Sequence, residues 1–201
     1  QGQSLNTASI DISKRLDETQ RGLFQQLCYG VIRWYPTLEI LSEQLLSKSL
    51  KAKDGDILAL LLIGIYQLRS LRIPDHAAIS ETVNACKLLN KQWATGLMNA
   101  CLRNYQRQQD ALEKSLTEQD VSLYAHPTWL IEKYQNDWPD DWQTLLTANN
   151  QQPPMMLRVN SREYSQAEYL ELLVKANIAA QAIENCPQGI LLEQACDVFA
   201  L

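Results

Sequence analysis

Five cysteines (Cys28, Cys86, Cys101, Cys186 and Cys196) and two histidines (His76 and His126) are the side chains here that could attack, ligate or abstract. Metal ligation needs donors that reach one ion together, and closely spaced pairs are its usual mark. No Cys-x-x-Cys pair occurs and no paired histidine lies nearby, which excludes an ordinary zinc site. The odd count, with most members set among Leu, Ala and Val in helical patterns, reads instead as reduced core thiols. His76 and His126 each adjoin a proline turn, where a turn or capping role is the expectation. No Ser/His/Asp set or paired-carboxylate arrangement stands out, and Asp140-Asp141 opens a helix, where acids are stabilising anyway. The seven glycines include no Gly-x-Gly spacing, so a turn whose backbone amides cradle a nucleotide-like ligand is missing.

Binding is then the chemistry left to the side chains, and the charges say where. Net charge is −5, but residues 1–110 carry 13 Lys and Arg against 10 Asp and Glu, while residues 111–201 carry 5 against 13. The front can face phosphate; the back mostly cannot. The candidate cations are Arg69 and Arg72 beside the turn Ile73-Pro74-Asp75, Lys87 and Lys91, Arg103 and Arg107 one helical turn apart, and Arg158 on a strand. Trp129, Trp138 and Trp142 could stack on flat ligands, although packing two short helices together is the favoured role.

Those side chains must be held by a helix-rich frame. At about 100–200 residues per domain, 201 residues make about one and a half domains, and 46% hydrophobic residues with few Gly and Pro suit helices. Residues 1–16 are polar and read as a partial first helix. A helix starts at Asp17 and runs through Leu23, Leu27, Val31 and Trp34 until Pro36, and a second starts at Thr37 with Leu38, Leu41 and Leu45 inward. Ile57–Leu71 is apolar on nearly all sides, as a surrounded core helix should be; its longest run, Ile57–Tyr66, is far below the ~20 residues that span a bilayer. Pro74 ends that helix and Asp75 can cap the next, which turns Ile79, Val83 and Cys86 inward. A further helix starts near Gln92 with Leu97, Cys101 and Tyr105 on its buried face. The polar stretch Gln108–Ser122 is the linker candidate, followed by short helices at Pro127–Asn136 and Asp140–Asn149. Pro153-Pro154 bars further helix, "MMLRV" reads as a strand, Gln166–Ala176 as a helix through Leu170, Leu173 and Val174, and Gly189–Glu193 as a second strand. No apolar export segment is seen, so the expectation is a cytoplasmic protein without a membrane span.

Two longer patterns carry a family resemblance. "DETQRGLFQQLCYGVIRW", "LALLLIGIYQLRSLRIPDHAAISETVNACK" and "GLMNACLRN" are similar to the RNA-binding antitermination factor NusB and to the NusB-like domain fused to RsmB (Sun/Fmu) enzymes. "YAHPTWLIEKYQNDWP", "ANNQQPP" and "MMLRVN" resemble the joint between that helical domain and the methylating half of such 16S rRNA (cytosine-5) methyltransferases. The resemblance implies a mainly α fold: a NusB-like bundle over 1–110, a linker with two short helices over 111–150, and the start of a small α/β RNA-recognition subdomain over 151–201. It implies S-adenosylmethionine as cofactor of the full-length enzyme, with 16S rRNA and the protein's own C-terminal methyltransferase domain as partners. The seven cations above become the RNA-contact candidates. Such enzymes add a thiolate to cytosine, and the resemblance would place it in Pro-Cys and Thr-Cys motifs. Here the residues preceding the cysteines are Leu27, Ala85, Ala100, Asn185 and Ala195, and Cys186-Pro187 is the reverse order. The 201 residues are therefore expected to be catalytically silent and to bind no cofactor and no metal. A non-enzymatic antitermination or RNA-binding scaffold is the rival reading, and a helical protein-interaction module a third. Calorimetry of S-adenosylmethionine against residues 1–201 should show no heat of binding; saturable micromolar affinity would overturn this division of labour.

Overall fold

The computed structural model describes residues 3–198 and divides into two compact units, one ending at Asn150 and one beginning at Gln151. The first is all helical: α1 (Leu5–Ser13), α2 (Glu18–Arg33), α3 (Tyr35–Leu45), a 3-10 turn at Ala52–Asp54, α4 (Gly55–Ser70), α5 (Asp75–Leu88), α6 (Ala94–Leu116), α7 (Asp120–Tyr124), α8 (Thr128–Asp137) and α9 (Trp142–Asn149). α2 starts where the sequence places it, because Asp17 accepts from the Gln20 amide at 2.8 Å while the Gln20 side chain accepts from the Asp17 amide. This reciprocal cap satisfies two amides that the first turn leaves over. Pro36 does not end a helix. It sits in the first turn of α3, where a missing amide costs nothing, and α2 has already stopped at Arg33.

α4 forms the centre, with Ile57, Leu61, Leu62 and Ile65 at most 3% exposed. Leu38 and Leu41 of α3, Ile79 and Cys86 of α5, and Met98, Cys101, Leu102 and Tyr105 of α6 close around it. Gly30 of α2 admits the Tyr66 ring of α4, since a Cβ there would lie 2.1 Å from ring carbon Cζ. Asp75 is not the cap of α5. Pro74 holds that position, and the Asp75 carboxylate accepts from Gln106 Nε2 of α6 at 2.9 Å.

The stretch from Gln108 to Ser122 is not a connector. α6 bends at Gln108 (φ −114°, ψ 17°) and continues to Leu116, with Leu112 and Leu116 buried. Thr37 Oγ1 of α3 donates to the Ser122 carbonyl at 2.7 Å, and Ser122 Oγ donates to the Leu116 carbonyl at 2.7 Å. Two apolar residues four apart give a polar sequence enough of a stripe to pack, so 111–150 belongs to the bundle and the break comes next to Pro153-Pro154. Ala125, left-handed at φ 54°, ends α7. His126 serves the turn as expected, with Nδ1 bonded to the Tyr124 carbonyl and Nε2 3.3 Å from Asn149 Nδ2.

Two ion-pair clusters tie distant segments of this unit. Arg69 Nε lies 2.9 Å from Glu113 Oε1, its guanidinium covers the Trp34 ring at 4.9 Å, and Tyr105 Oη donates to Glu113 at 2.8 Å. Burial first, and then the Glu113 carboxylate, push the Tyr105 phenol well above its ordinary range. Lys91 donates to Asp54 at 2.9 Å, Asp56 at 2.6 Å and the Lys53 carbonyl at 3.1 Å.

The second unit contains β1 (Met156–Arg158), α10 (Gln166–Lys175), β2 (Ala180–Ala182) and β3 (Gly189–Leu192). Both β1 and β2 pair antiparallel with β3, giving the order β1-β3-β2. Ser165 caps α10 reciprocally with Glu168. Leu173 packs on Val159, Ile190 and Leu192, whereas Val174, read as inward, is 69% exposed. β2 was not foreseen, since Ala-Gln-Ala has little strand propensity; bonds such as Ile183 N to Gly189 O at 3.0 Å hold its register. Of the thiols, Cys86 and Cys101 are buried and Cys28 and Cys196 half-buried, but Cys186 is exposed in the β2–β3 loop. Burial pushes the thiols of Cys28, Cys86 and Cys101 up, away from reactive thiolate.

Two stability measurements check this account. Gly30→Ala should lower the melting temperature of the helical unit by several degrees, corresponding to about 1–3 kcal/mol of overpacking, because a rigid ring occupies the space. Lys91→Met should destabilise at neutral pH by an amount that fades at both extremes. Hydrogen bonding to Lys91 holds the Asp56 carboxyl below its ordinary value, so that contribution is lost as pH falls through the folded-state value. Hydrogen bonds to Asp56 and Asp54 raise the Lys91 ammonium, so its share is lost as pH rises through the raised value. Chemical denaturation of both proteins across pH reads the difference; a pH-independent gap would remove the charge cluster from the account.

Candidate nucleic-acid interface

Seven cations were candidates for contact with phosphate, and the fold sorts them. Arg69 and Lys91 are spent inside the helical unit, one on Glu113 and Trp34, the other on Asp54, Asp56 and a carbonyl. Each is only 20% exposed at the side chain, and its charge is already balanced. The partners stand 44 and 37 residues away, so nothing local in the sequence announced them.

Arg72, Lys87, Arg103, Arg107 and Arg158 are exposed. Arg103 and Arg107 come together as anticipated, one turn apart on α6 and opposite the buried Met98, Cys101, Leu102 and Tyr105. Asn99 Oδ1 accepts from Arg103 Nε at 3.1 Å, which orients that guanidinium along the helix and leaves its other donors open. Gly96, Asn99 and Ala100 continue the exposed stripe toward the start of α6, so nothing bulky shields the two arginines. The Lys87 amine lies 3.3 Å from Asn84 Oδ1 on α5. Arg72 lines a cleft of about 420 Å³ with Leu23, Gln26 and Ile73. Arg158 belongs to the second unit, where Gln188 Oε1 accepts from its Nε at 3.0 Å.

The aromatic side chains correct the sequence reading. Trp142 packs, but edge-on to Tyr124 of α7 at 5.3 Å rather than between the two short helices. Trp129 and Trp138, by contrast, are 66% and 48% exposed, because α8 buries only Ile131. Trp93, which drew no attention in the sequence, stands 57% exposed just before α6. A tryptophan that starts or follows a helix, outside its i, i+3, i+4 apolar row, is the signal that was there to find.

Among the described residues no group of three His, Cys, Asp or Glu side chains could hold a metal ion, and no helix is long and apolar enough to cross a membrane. The surface offers cations and flat rings, the side chains that contact phosphates and unstacked bases.

Comparison with known proteins divides the chain earlier than its internal contacts do, between residues 107 and 126 rather than at Asn150. The NusB family model matches residues 1–107, and the model of the RsmF/B-like methyltransferase ferredoxin-like domain matches residues 126–199. The chain is 46% identical over 198 residues to ribosomal RNA small subunit methyltransferase B of Pseudomonas putida, covering 98% of this chain and 45% of that protein. It is 41% identical over 201 residues to the protein of the same name in Proteus mirabilis, covering 100% of this chain and 47% of the relative. A probable ribosomal RNA small subunit methyltransferase B of Coxiella burnetii is 42% identical over 196 residues, covering 97% and 44%. The chain thus spans under half the length of these relatives. The NusB model covers more than half of the chain, from α1 into α6, with the ferredoxin-like methyltransferase domain model matching behind it, and this chain belongs to the NusB family.

Proposed function

We propose that this chain is the rRNA-holding front part of a cytoplasmic, S-adenosylmethionine-dependent methyltransferase that modifies cytosine at carbon 5 in 16S rRNA. The observation that carries the reading is the joining, in one chain, of a NusB-family bundle to an RsmF/B-like ferredoxin-like domain. Relatives named for rRNA small subunit methylation match across nearly all of it. A free-standing antitermination scaffold explains the first of these domains and leaves the second without a role.

In this reading the chain contributes binding rather than bond making. S-adenosylmethionine, held by the remainder of the full-length protein, supplies the methyl group. Arg103 and Arg107 lie on an open helix face and take phosphate oxygens, with Arg72 and Lys87 as further cations of the same unit. Arg158 extends the contact to the second unit, whose surroundings are otherwise acidic. Arg69 and Lys91 support the fold that presents the others.

Charge reversal at Arg103 and Arg107 together should weaken binding of a 16S rRNA fragment and flatten its salt dependence. Each phosphate contact to single-stranded RNA adds about 0.7 to the slope of log K against log salt, so losing two should lower it by roughly 1.4. The melting temperature should stay nearly constant, since both side chains are exposed. An unaltered slope would take these residues out of the site. For the reaction, methyl transfer from labelled S-adenosylmethionine to cytosine in 16S rRNA by the full-length protein is the assay, and a full-length protein that binds but never methylates would favour the scaffold.

A further inference from the structure

The corner between α5 and α6 carries side chains that the packing of the bundle leaves unused. α5 ends in a tight reversal: Asn90 is left-handed at φ 56°, and Lys91 N donates to Cys86 O at 2.9 Å. The Lys91 ammonium reaches back to the Lys53 carbonyl at 3.1 Å, so this reversal lies against the turn Ala52–Asp54 that precedes α4. Residues 46–56 and 87–95, which Lys91 joins, hold five lysines and only two acids. Both acids, Asp54 and Asp56, are engaged by Lys91. Lys51, Lys53 and Lys87 are exposed and, among the described residues, form no ion pair. A corner of one uncancelled sign, in a chain of net charge −5, fits a polyanion.

Apolar side chains stand in the same corner. Leu88, Leu89 and Trp93 are all exposed, Leu88 by 84% and Trp93 by 57%, and none of them belongs to the hydrophobic core. Trp93 also ties the corner to α6. Its backbone angles are helical (φ −59°, ψ −28°), so it is in phase with the helix it precedes. Gly96, Ala100, Arg103 and Arg107 follow at intervals of 3, 4, 3 and 4 residues, all exposed, with no Asp or Glu between Trp93 and Arg107. At 1.5 Å per residue this row is about 21 Å long. It begins with a flat ring, runs over two residues too small to block a ligand, and ends in two guanidiniums.

We propose that Trp93 is a base-stacking residue through which this surface selects unpaired RNA. One unstacked base lies on the indole, Lys51, Lys53 and Lys87 hold phosphates on one side of it, and the RNA backbone leaves along α6 toward Arg103 and Arg107. A ring set among flexible cations is the combination that suits single strands, since every base has a face to stack and every linkage a charge. An A-form duplex offers phosphates and 2′-hydroxyls but keeps its base faces stacked inside, so the indole gains nothing from it. An anionic lipid surface shares the charge, but the corner is a short turn rather than the long apolar helix face that lies on membranes. The inference rests on the reading above, that the chain holds rRNA, and adds which form of RNA is held and by which ring.

Binding of a single-stranded 16S rRNA oligonucleotide to the full-length protein, and of the same strand annealed to its complement, tests it. Trp93→Leu should weaken single-strand binding roughly 5- to 150-fold, the range for losing one base–aromatic stack, and leave duplex affinity and salt slope unchanged because no charge is removed. Trp93→Phe should keep most of the affinity. Lys51→Gln with Lys53→Gln should lower the slope by about 1.4, and an unaltered slope overturns the lysine contacts. Equal single-strand affinity of the Leu and Phe variants, or an equal loss on the duplex, overturns the stack. The emission that the wild type has and Trp93→Phe lacks belongs to Trp93; RNA should quench it, and absence of quenching overturns the proposal even where the Leu variant folds poorly. Undiminished single-strand binding by Trp93→Leu, in a full-length protein that methylates 16S rRNA, overturns the stack and leaves the functional reading standing. The expected loss in a full-length protein that does not methylate supports the stack and sinks that reading. Trp93 emission that shifts to the blue with phosphatidylglycerol vesicles and does not respond to RNA assigns the corner to a membrane surface and overturns the proposal.

Discussion

The helical unit depends on the burial of most of α4. A helix with Ile57, Leu61, Leu62 and Ile65 buried cannot present any of those side chains to water, so α3, α5 and α6 must all be in place before it is satisfied. Gly30 and Gly64 are set where α2 and α6 reach α4 most closely, with the Tyr66 ring and the Leu102 methyls in the space a side chain would need. The outward face of α6 is then fixed by what its inward face must cover. Arg103 and Arg107 are exposed because Met98, Cys101, Leu102 and Tyr105 are not.

The same burial explains how charge is allotted. Thirteen cations in residues 1–110 suggest a broad basic front, yet the fold withdraws two of the candidates. Arg69 is engaged by Glu113, and Lys91 by Asp54 and Asp56. Such part-buried pairs hold loop to helix and helix to helix, and each charge so used is no longer available to a polyanion. The exposed candidate cations of this unit are fewer than composition implies, and they stand on α5, α6 and the α4–α5 turn.

Helices with an apolar row three and four apart were legible in the sequence, as was the polar start at Asp17. The reading failed where the local signal was weak or the partner remote. The segment after Gln108 looks like a linker because its buried contribution is two leucines in a charged sequence, and its anchor, Thr37, is 85 residues from Ser122. β2 is three residues of low propensity, held only by β3. Pro36 reads equally as a stop and as a first-turn residue, and the backbone of Tyr35 decides between them. For the interface, the pairing of Arg103 with Arg107 was visible because it is helical geometry. The loss of Arg69 and Lys91 was not, because it is tertiary.

All five tryptophans lie at or before Trp142, so the second unit has none. Trp93 and Trp129 are more than half exposed in the native state and Trp138, against Tyr134, nearly half, while Trp34 lies under Arg69 and Trp142 against Tyr124. Intrinsic emission excited at the red edge therefore reports the helical unit alone, over a native background that is already polar and red-shifted. Opening of the three-stranded sheet is dark to that signal and falls to Tyr164 and Tyr169, whose rings lie 6.1 Å apart. A single sigmoid in tryptophan fluorescence is consequently no sign that the two units unfold together.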